Sequence, residues 1–382
     1  MAATTHDTPD TPDTPATHAT PETHAAPETP DTRDTRDALA AVFGAVRANR
    51  RGRTARIAVV TSALAAAVAT LFVVTMMVGS FRLSAAEVVG SLLGTIDDPS
   101  LDFVVLGLRL PTAATALAVG LALGASGTIF QQLLRNPLAS PDFVGISSGA
   151  GLAAVTGLVF LHVSGIAIAG LALGGAVVAA LLMYVLAWRD GVSGYRFILI
   201  GIGVAAFFEG LTGFVLTRAQ LFEARQAMHW LTGSVGQASD TELRLLLGAL
   251  AVLLPLAMLL QRQLRVLELG DDAARGLGVP TELARAGLLA TAVILVALAV
   301  AAAGPLVFVA LVAGPIANRL LGPATGGIVA AALVGAAVLL TADLVAVHLL
   351  PVALPTGVVT GAVGAPYLLW LLATTNRQGA GG

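Results

Sequence analysis

The sequence predicts an all-α polytopic membrane protein of about ten transmembrane helices, and three observations carry the prediction. Of the 382 residues, 56% are hydrophobic and 12% charged, and the mean hydropathy of +0.86 is far above that of a soluble globular domain. Apolar runs of roughly 20 residues recur, each long enough as a helix rising about 1.5 Å per residue to cross a hydrocarbon core about 30 Å thick. These runs lack the two-residue alternation of barrel strands, which excludes an outer-membrane barrel.

Taken in order, residues 1–36 repeat Thr, Pro, Asp, Ala and His and carry almost no large apolar side chain, so they predict a disordered cytoplasmic tail. The tail lacks the basic-then-apolar order of a secretory signal. Its His6, His18 and His24 have no fixed spacing with carboxylates and predict no metal site. Residues 37–56 follow as a basic juxtamembrane amphipathic segment, with Leu39, Val42, Phe43 and Val46 at helical spacing ahead of Arg47, Arg50, Arg51, Arg53 and Arg56. That pattern suits a short interfacial helix on an anionic leaflet. A transmembrane domain spans 57–373 and a short cytoplasmic tail 374–382.

Spans are predicted near 57–79, 110–130, 146–163, 165–187, 197–216, 243–260, 286–303, 305–318, 328–349 and 357–373. With the amino terminus inside, the arginines from Arg47 onward fall on the cytoplasmic side except Arg82, Arg109, Arg218, Arg225 and Arg244. The positive-inside rule therefore puts both termini in the cytoplasm.

All 21 basic residues are arginine, so the lysine-dependent phosphate loop of an ATPase is absent. If ATP drives this protein, another chain hydrolyses it, and the chain itself is not expected to be an enzyme. The absence of cysteine excludes disulfides, thiolate ligands and thiol catalysis. No metal site and no cofactor are predicted in the chain, and no nucleic-acid partner.

Four regions interrupt the apolar pattern. "LRLPTAATALAVGLALGASGTIFQQLLRNPLASPDFVGISSGAG" opens at Arg109, runs through Gly120, Gly124, Ser126 and Gly127, and ends in a polar cytoplasmic turn where Ser147 or Ser148 can cap the next helix. "LAWRDGVSGYRFILIGIGV" is a second cytoplasmic turn, and Gly201 and Gly203 then make a smooth wall that suits either a packed interface or a pore. The inner loop at about 261–285, "QRQLRVLELGDDAARGLGVPTELARAG", reads as two short helices, with Asp271 and Asp272 favouring a helix start. "AAGPLVFVALVAGPIANRLLG" and "LLTADLVAVHLLPVALPTGVVTGAVGAPYLLWLL" place Asp343 in a span beside a Pro-rich outer turn.

In this order the segments resemble the permease subunits of ABC importers for ferric siderophores, haem and vitamin B12, the FecCD and BtuC-like proteins of the type II importers. The finer pattern of "RNPLASPD", "FILIGIGV" and "LELGDDAARGLGV" is most similar to ferric-enterobactin-type subunits. The resemblance implies a path for a ferric siderophore, with haem or vitamin B12 as alternative cargo. It implies two ATPase subunits carrying ATP and Mg, an extracytoplasmic siderophore-binding protein, and a second, homologous permease subunit in a heterodimer in the inner (plasma) membrane. It further implies that Gly270, Asp271, Asp272, Ala273, Arg275, Leu277 and Gly278 couple to the ATPase. Asn136, Leu138, Ser193 and Gly194 would form the cytoplasmic gate, and Arg109 and Arg82 would dock the binding protein. Thr112 stands where the family has a second arginine, and Val347, followed by His348, where another is common.

The rival reading is a proton-coupled secondary transporter, which needs ionisable groups inside the bilayer. Glu209 and Asp343 are its candidates, and Glu209 has no counterpart in the family pattern.

Overall fold

The computed structural model describes residues 32–79, 81–142, 145–187, 194–322 and 327–379. The chain divides into two units, Met1–Gly52 and Arg53–Gly382, and everything below concerns the second unless stated. The helices are α1 (Thr32–Met77), α2 (Ala85–Leu92), α3 (Pro99–Asp102), α4 (Leu110–Leu133), α5 (Ile146–Phe160), α6 (Ile166–Ala187), α7 (Gly194–Leu216), α8 (Leu221–Thr232), α9 (Asp240–Leu267), α10 (Asp271–Gly276), α11 (Thr281–Ala303), α12 (Val309–Leu321), α13 (Ile328–Leu344) and α14 (Thr356–Gly379). Wide π-helical turns occupy Phe103–Arg109 and Val345–Leu349.

Among the described residues, 7 helices are long and apolar enough to cross a membrane, and α5, α12 and α14 contain shorter apolar stretches. Together they occupy the predicted spans. Three boundaries differ. The separate juxtamembrane helix at 37–56 is replaced by a single α1, Thr32–Met77, because no proline interrupts this run of good helix formers. The edge of the predicted tail at 36 accordingly falls inside a helix, while residues 1–31 lie outside the described residues. At the other end, α14 runs through the predicted start of the carboxy-terminal tail to Gly379.

The eighth span begins later than predicted. Residues 304–308 are not helical, Phe308 is left-handed (φ 69°) and α12 starts at Val309. The end of α11 just before this segment is held from outside, since Ser234 N donates to the Ala303 carbonyl at 2.7 Å.

Helix α4 is the centre of the unit, packed on α9, α11, α12 and α13. A side chain at Gly120 or Gly124 would strike the α13 backbone at Ala336 or Ala331, and one at Gly127 would strike Ala310 of α12. These three glycines let the backbones meet, which is how helices without a hydrophobic driving force associate in lipid. Pro315 has no N–H to give the Leu311 carbonyl one turn earlier. The buried Gln131 amide supplies that bond from α4 at 2.8 Å.

Candidate functional site

At the end of the bundle that the sequence assigns to the cytoplasmic side, called the inner end below and its opposite the outer end, α9 runs into α10 through Gly270, whose φ of 112° suits glycine. Arg285, on the first turns of α11 and 10% exposed at its side chain, donates to both carboxylate oxygens of Asp271 at 3.0 and 3.1 Å and to Glu282 at 3.0 Å. Arg135 approaches the same Asp271 at 3.9 Å and donates to the Leu267 carbonyl. One guanidinium nitrogen sits between both Asp271 oxygens and another bonds Glu282, so Arg285 bridges two carboxylates with charge-assisted bonds and ties α10 to the start of α11.

The clamp divides the predicted coupling residues. Gly270 and Asp271 face inward and are half-buried; Asp272, Ala273, Arg275, Leu277 and Gly278 are exposed, with the Asp272 side chain fully so. Arg285 was not among the predicted coupling residues. The Glu282 and Arg285 spacing was legible as an ion pair one helical turn apart, but the partner fourteen residues away was not.

The predicted gate is only partly brought together. The Asn136 side chain accepts from the Leu138 N–H at 2.9 Å, closing its own turn, and both residues are half-buried. Ser193 lies outside the described residues, and Gly194 is the first residue of α7. Beside this turn, Gln131, Gln132, Arg135, Asn136, Glu268 and Asn318 line a polar cavity of about 520 Å³. Burial pushes the Glu268 carboxyl above its ordinary range, while Arg265 and Arg135 pull it back.

The turn after α4 does not stay at the inner surface. Phe130 meets Phe197 near the start of α7, with ring centroids 6.4 Å apart, whereas Gly145 abuts the backbone of Ala205 further along the same helix. The start of α5 thus lies about 12 Å further along α7 than the Phe130 contact. Gly145, left-handed at φ 85°, starts α5. Non-helical backbone at this depth must be buried in protein or face water, and Ala139, Ser140, Gly145 and Ile146 are buried. Two carboxylates sit at the amino-terminal turn of α5. Asp142 accepts from Ser147 at 2.9 Å and Ser140 at 3.2 Å, and Glu209 of α7 accepts from Ser148 at 3.3 Å. The positive end of the helix dipole favours both.

At the outer end the two π-helical turns bring Arg109 and His348 to one cavity of about 720 Å³, walled also by Gly79, Phe81 and Phe103. Arg109 donates to the Met76 carbonyl at 2.6 Å and to the Phe81 carbonyl, so it fastens the loop after α1 while its charge stays half-exposed. Arg82 is exposed on an adjoining cavity that shares His348. Asp343 is 3% exposed and accepts from Thr356 at 3.0 Å, tying α13 to the start of α14.

This helical arrangement can be compared with known proteins. Residues 62–374 match the FecCD transport family. The chain belongs to that family. This FecCD permease is 42% identical over 302 residues to the ferric enterobactin transport system permease protein FepG of Escherichia coli (strain K12), covering 78% of this chain and 91% of the relative. It is also 42% identical over 313 residues to the achromobactin transport system permease protein CbrC of Dickeya dadantii (strain 3937), covering 80% and 88%. An inward-facing metal-chelate type ABC transporter has the same fold, with a TM-score of 0.71 at 23% identity over 82% of this chain and 98% of that one. The FecCD permease is therefore a multi-pass membrane protein with the helical fold of an ABC importer permease.

Proposed function

We propose that this chain is the permease subunit of an ATP-driven ABC importer and forms the path for a ferric siderophore handed over by an extracytoplasmic binding protein. The observation that carries the reading is the match along most of the chain to permeases for ferric enterobactin and achromobactin. In this reading both termini are cytoplasmic. Asp272, Ala273, Arg275, Leu277 and Gly278 meet one of two ATPase subunits, which hold ATP and Mg, and Asp271 with Arg285 makes α10 stiff enough to pass on a rigid-body movement. That movement opens a gate built from Asn136, Leu138, Ser193 and Gly194. Arg82 and the exposed part of Arg109 present positive charge to acidic groups of the binding protein, with His348 beside them. Because Thr112 and Val347 replace two outer arginines of the family pattern, the second permease subunit is a homologous but different chain that supplies the missing charges.

The test is reconstitution of the permease with its partner, the ATPase and the binding protein in proteoliposomes. Uptake of radioiron siderophore that requires ATP and the binding protein is expected. Uptake driven by a proton gradient without ATP contradicts the reading and favours a secondary transporter. Purification of a fully active assembly containing only this permease chain would overturn the heterodimer.

A further inference from the structure

Glu209 is a carboxylate well inside a membrane span. The helix rises about 20 Å between Arg196 and Glu209 and about 10 Å more to Leu216, yet Glu209 is exposed in the subunit. A carboxylate turned to lipid at that depth is costly, and ionisable groups there turn to protein or water. Ser148 is its hydrogen-bond partner, and the start of α5 lies behind it.

A mid-span carboxylate sets the surface around Glu209 apart from the exposed faces of neighbouring helices. The exposed side of α6 is built from Val177, Val178, Leu181, Leu182, Val185 and Leu186, and that of α9 includes Leu245, Val252, Leu256 and Leu259. On α7, helical spacing puts Gly203, Ala206, Gly210 and Gly213 on the exposed side near Glu209 together with the larger Leu199 and Ile202, while Phe207, Leu211 and Phe214 occupy the adjacent side. Side chains added at Gly203, Gly210 or Gly213 would meet nothing within 4 Å, in contrast to the close-packed glycines of α4. The α7 glycines therefore do not serve packing within this chain. Open glycines also occur on α6 and α9, at Gly170, Gly174 and Gly248, so it is the mid-span carboxylate that calls for water or protein beside this face.

We propose that Glu209 is a charge-selecting residue on the wall of the translocation path, favouring chelates with a neutral or cationic exterior over polyanionic ones. The inference rests on the transport reading above and narrows its cargo class. Ser148 and the amino terminus of α5 hold the carboxylate in place, and the small residues leave a bulky chelate space to pass it. A fixed negative charge then attracts or repels whatever charge the cargo presents.

The native chain has no cysteine, so a single Gly210→Cys reports on this wall directly. The experiment measures its reaction, in the complete transporter, with cationic and anionic thiol reagents of equal size. A unit charge about 6 Å away in a water-like path changes each rate about threefold in opposite directions, a ratio of roughly tenfold in favour of the cation. That ratio should fall to near one with Glu209→Gln and persist with Glu209→Asp. No labelling by either reagent in any nucleotide state, or a ratio that Glu209→Gln leaves unchanged, overturns the proposal. Parallel uptake of a cationic and a polyanionic ferric chelate, each with its own binding protein, should shift toward the polyanion in Glu209→Gln. An unaltered preference also overturns the proposal. Failure of the wild type to take up any chelate with ATP would instead sink the transport reading, which the labelling does not depend on.

Discussion

The inner end and the start of α5 each gather two carboxylates, but they hold them by different chemistry. Around α10, Asp271 and Glu282 share Arg285, with Arg135 nearby, so the charges balance and one guanidinium bridges two carboxylates through two of its nitrogens. At α5, Asp142 and Glu209 are held by the hydroxyls of Ser140, Ser147 and Ser148 and by a helix end, which orients them without cancelling their charge. An ion-paired element keeps its shape under load, as a coupling element must. A hydroxyl-held acid leaves its field available to whatever passes.

Replacing Arg285 tests the inner half of this contrast most severely. Arg285→Met would leave two carboxylates without their donor, and a loss of about 2 kcal/mol is expected because both are partly solvated. Thermal unfolding of the purified complex would report it as a lower midpoint, accompanied by weaker stimulation of ATP hydrolysis by the binding protein. Arg285→Lys should recover only part, since a single ammonium nitrogen cannot span Asp271 and Glu282 as two guanidinium nitrogens do. Equal behaviour of the two variants would mean that charge alone, and not geometry, fixes α10.

At the other site, Gly145→Ala places a side chain at a left-handed position against Ala205. A cost of about 1–2 kcal/mol is expected, and unchanged unfolding would show that α5 does not depend on this close approach. A smaller effect separates orientation from charge. Asp142→Asn keeps an acceptor for one serine and offers an N–H to the hydroxyl oxygen of the other, so it should change stability by less than about 1 kcal/mol, whereas Asp142→Ala leaves two hydroxyls without a partner and should cost about 1–2 kcal/mol. Identical midpoints for Asn and Ala would remove the hydroxyl bonds from the account.

The weakest expected effect is a pH dependence at the inner cavity. The Glu268 carboxyl is raised above its reference value of 4.5 by burial. Its contribution to stability is therefore full below that value and is lost as pH rises through the folded value. Comparing unfolding midpoints at acid and neutral pH, wild type should lose ground to Glu268→Gln on the way up. A constant difference would show that burial does not penalise the ionised form.

Much of the fold was legible because the spans are read from length and hydropathy, which the bilayer enforces directly. The glycines of α4 were legible as packing residues for the same reason. The eighth span was placed too early because Pro305 was read as its start, whereas residues 304–308 are not helical and Phe308 is left-handed. The outer helices α2 and α8 were not read, although Ser84 with Glu87 and Gln220 with Glu223 form capping boxes that could have revealed them. The segment predicted to couple was visible as a motif, but its division into a clamped face and an exposed face depends on Arg285, which only the folded chain brings to Asp271. Glu209 was visible as an anomaly. Its meaning required seeing that α5 starts part-way up α7.

The central claim is that a rigid α10 moves the turn at Leu138. With a single cysteine at position 138 carrying a spin label, and a second label on the other permease subunit, the distance between them can be measured without nucleotide and with bound ATP in the complete transporter. The account predicts a change in that distance on ATP binding, and its loss in Arg285→Met. A distance that stays the same in the wild type would contradict it.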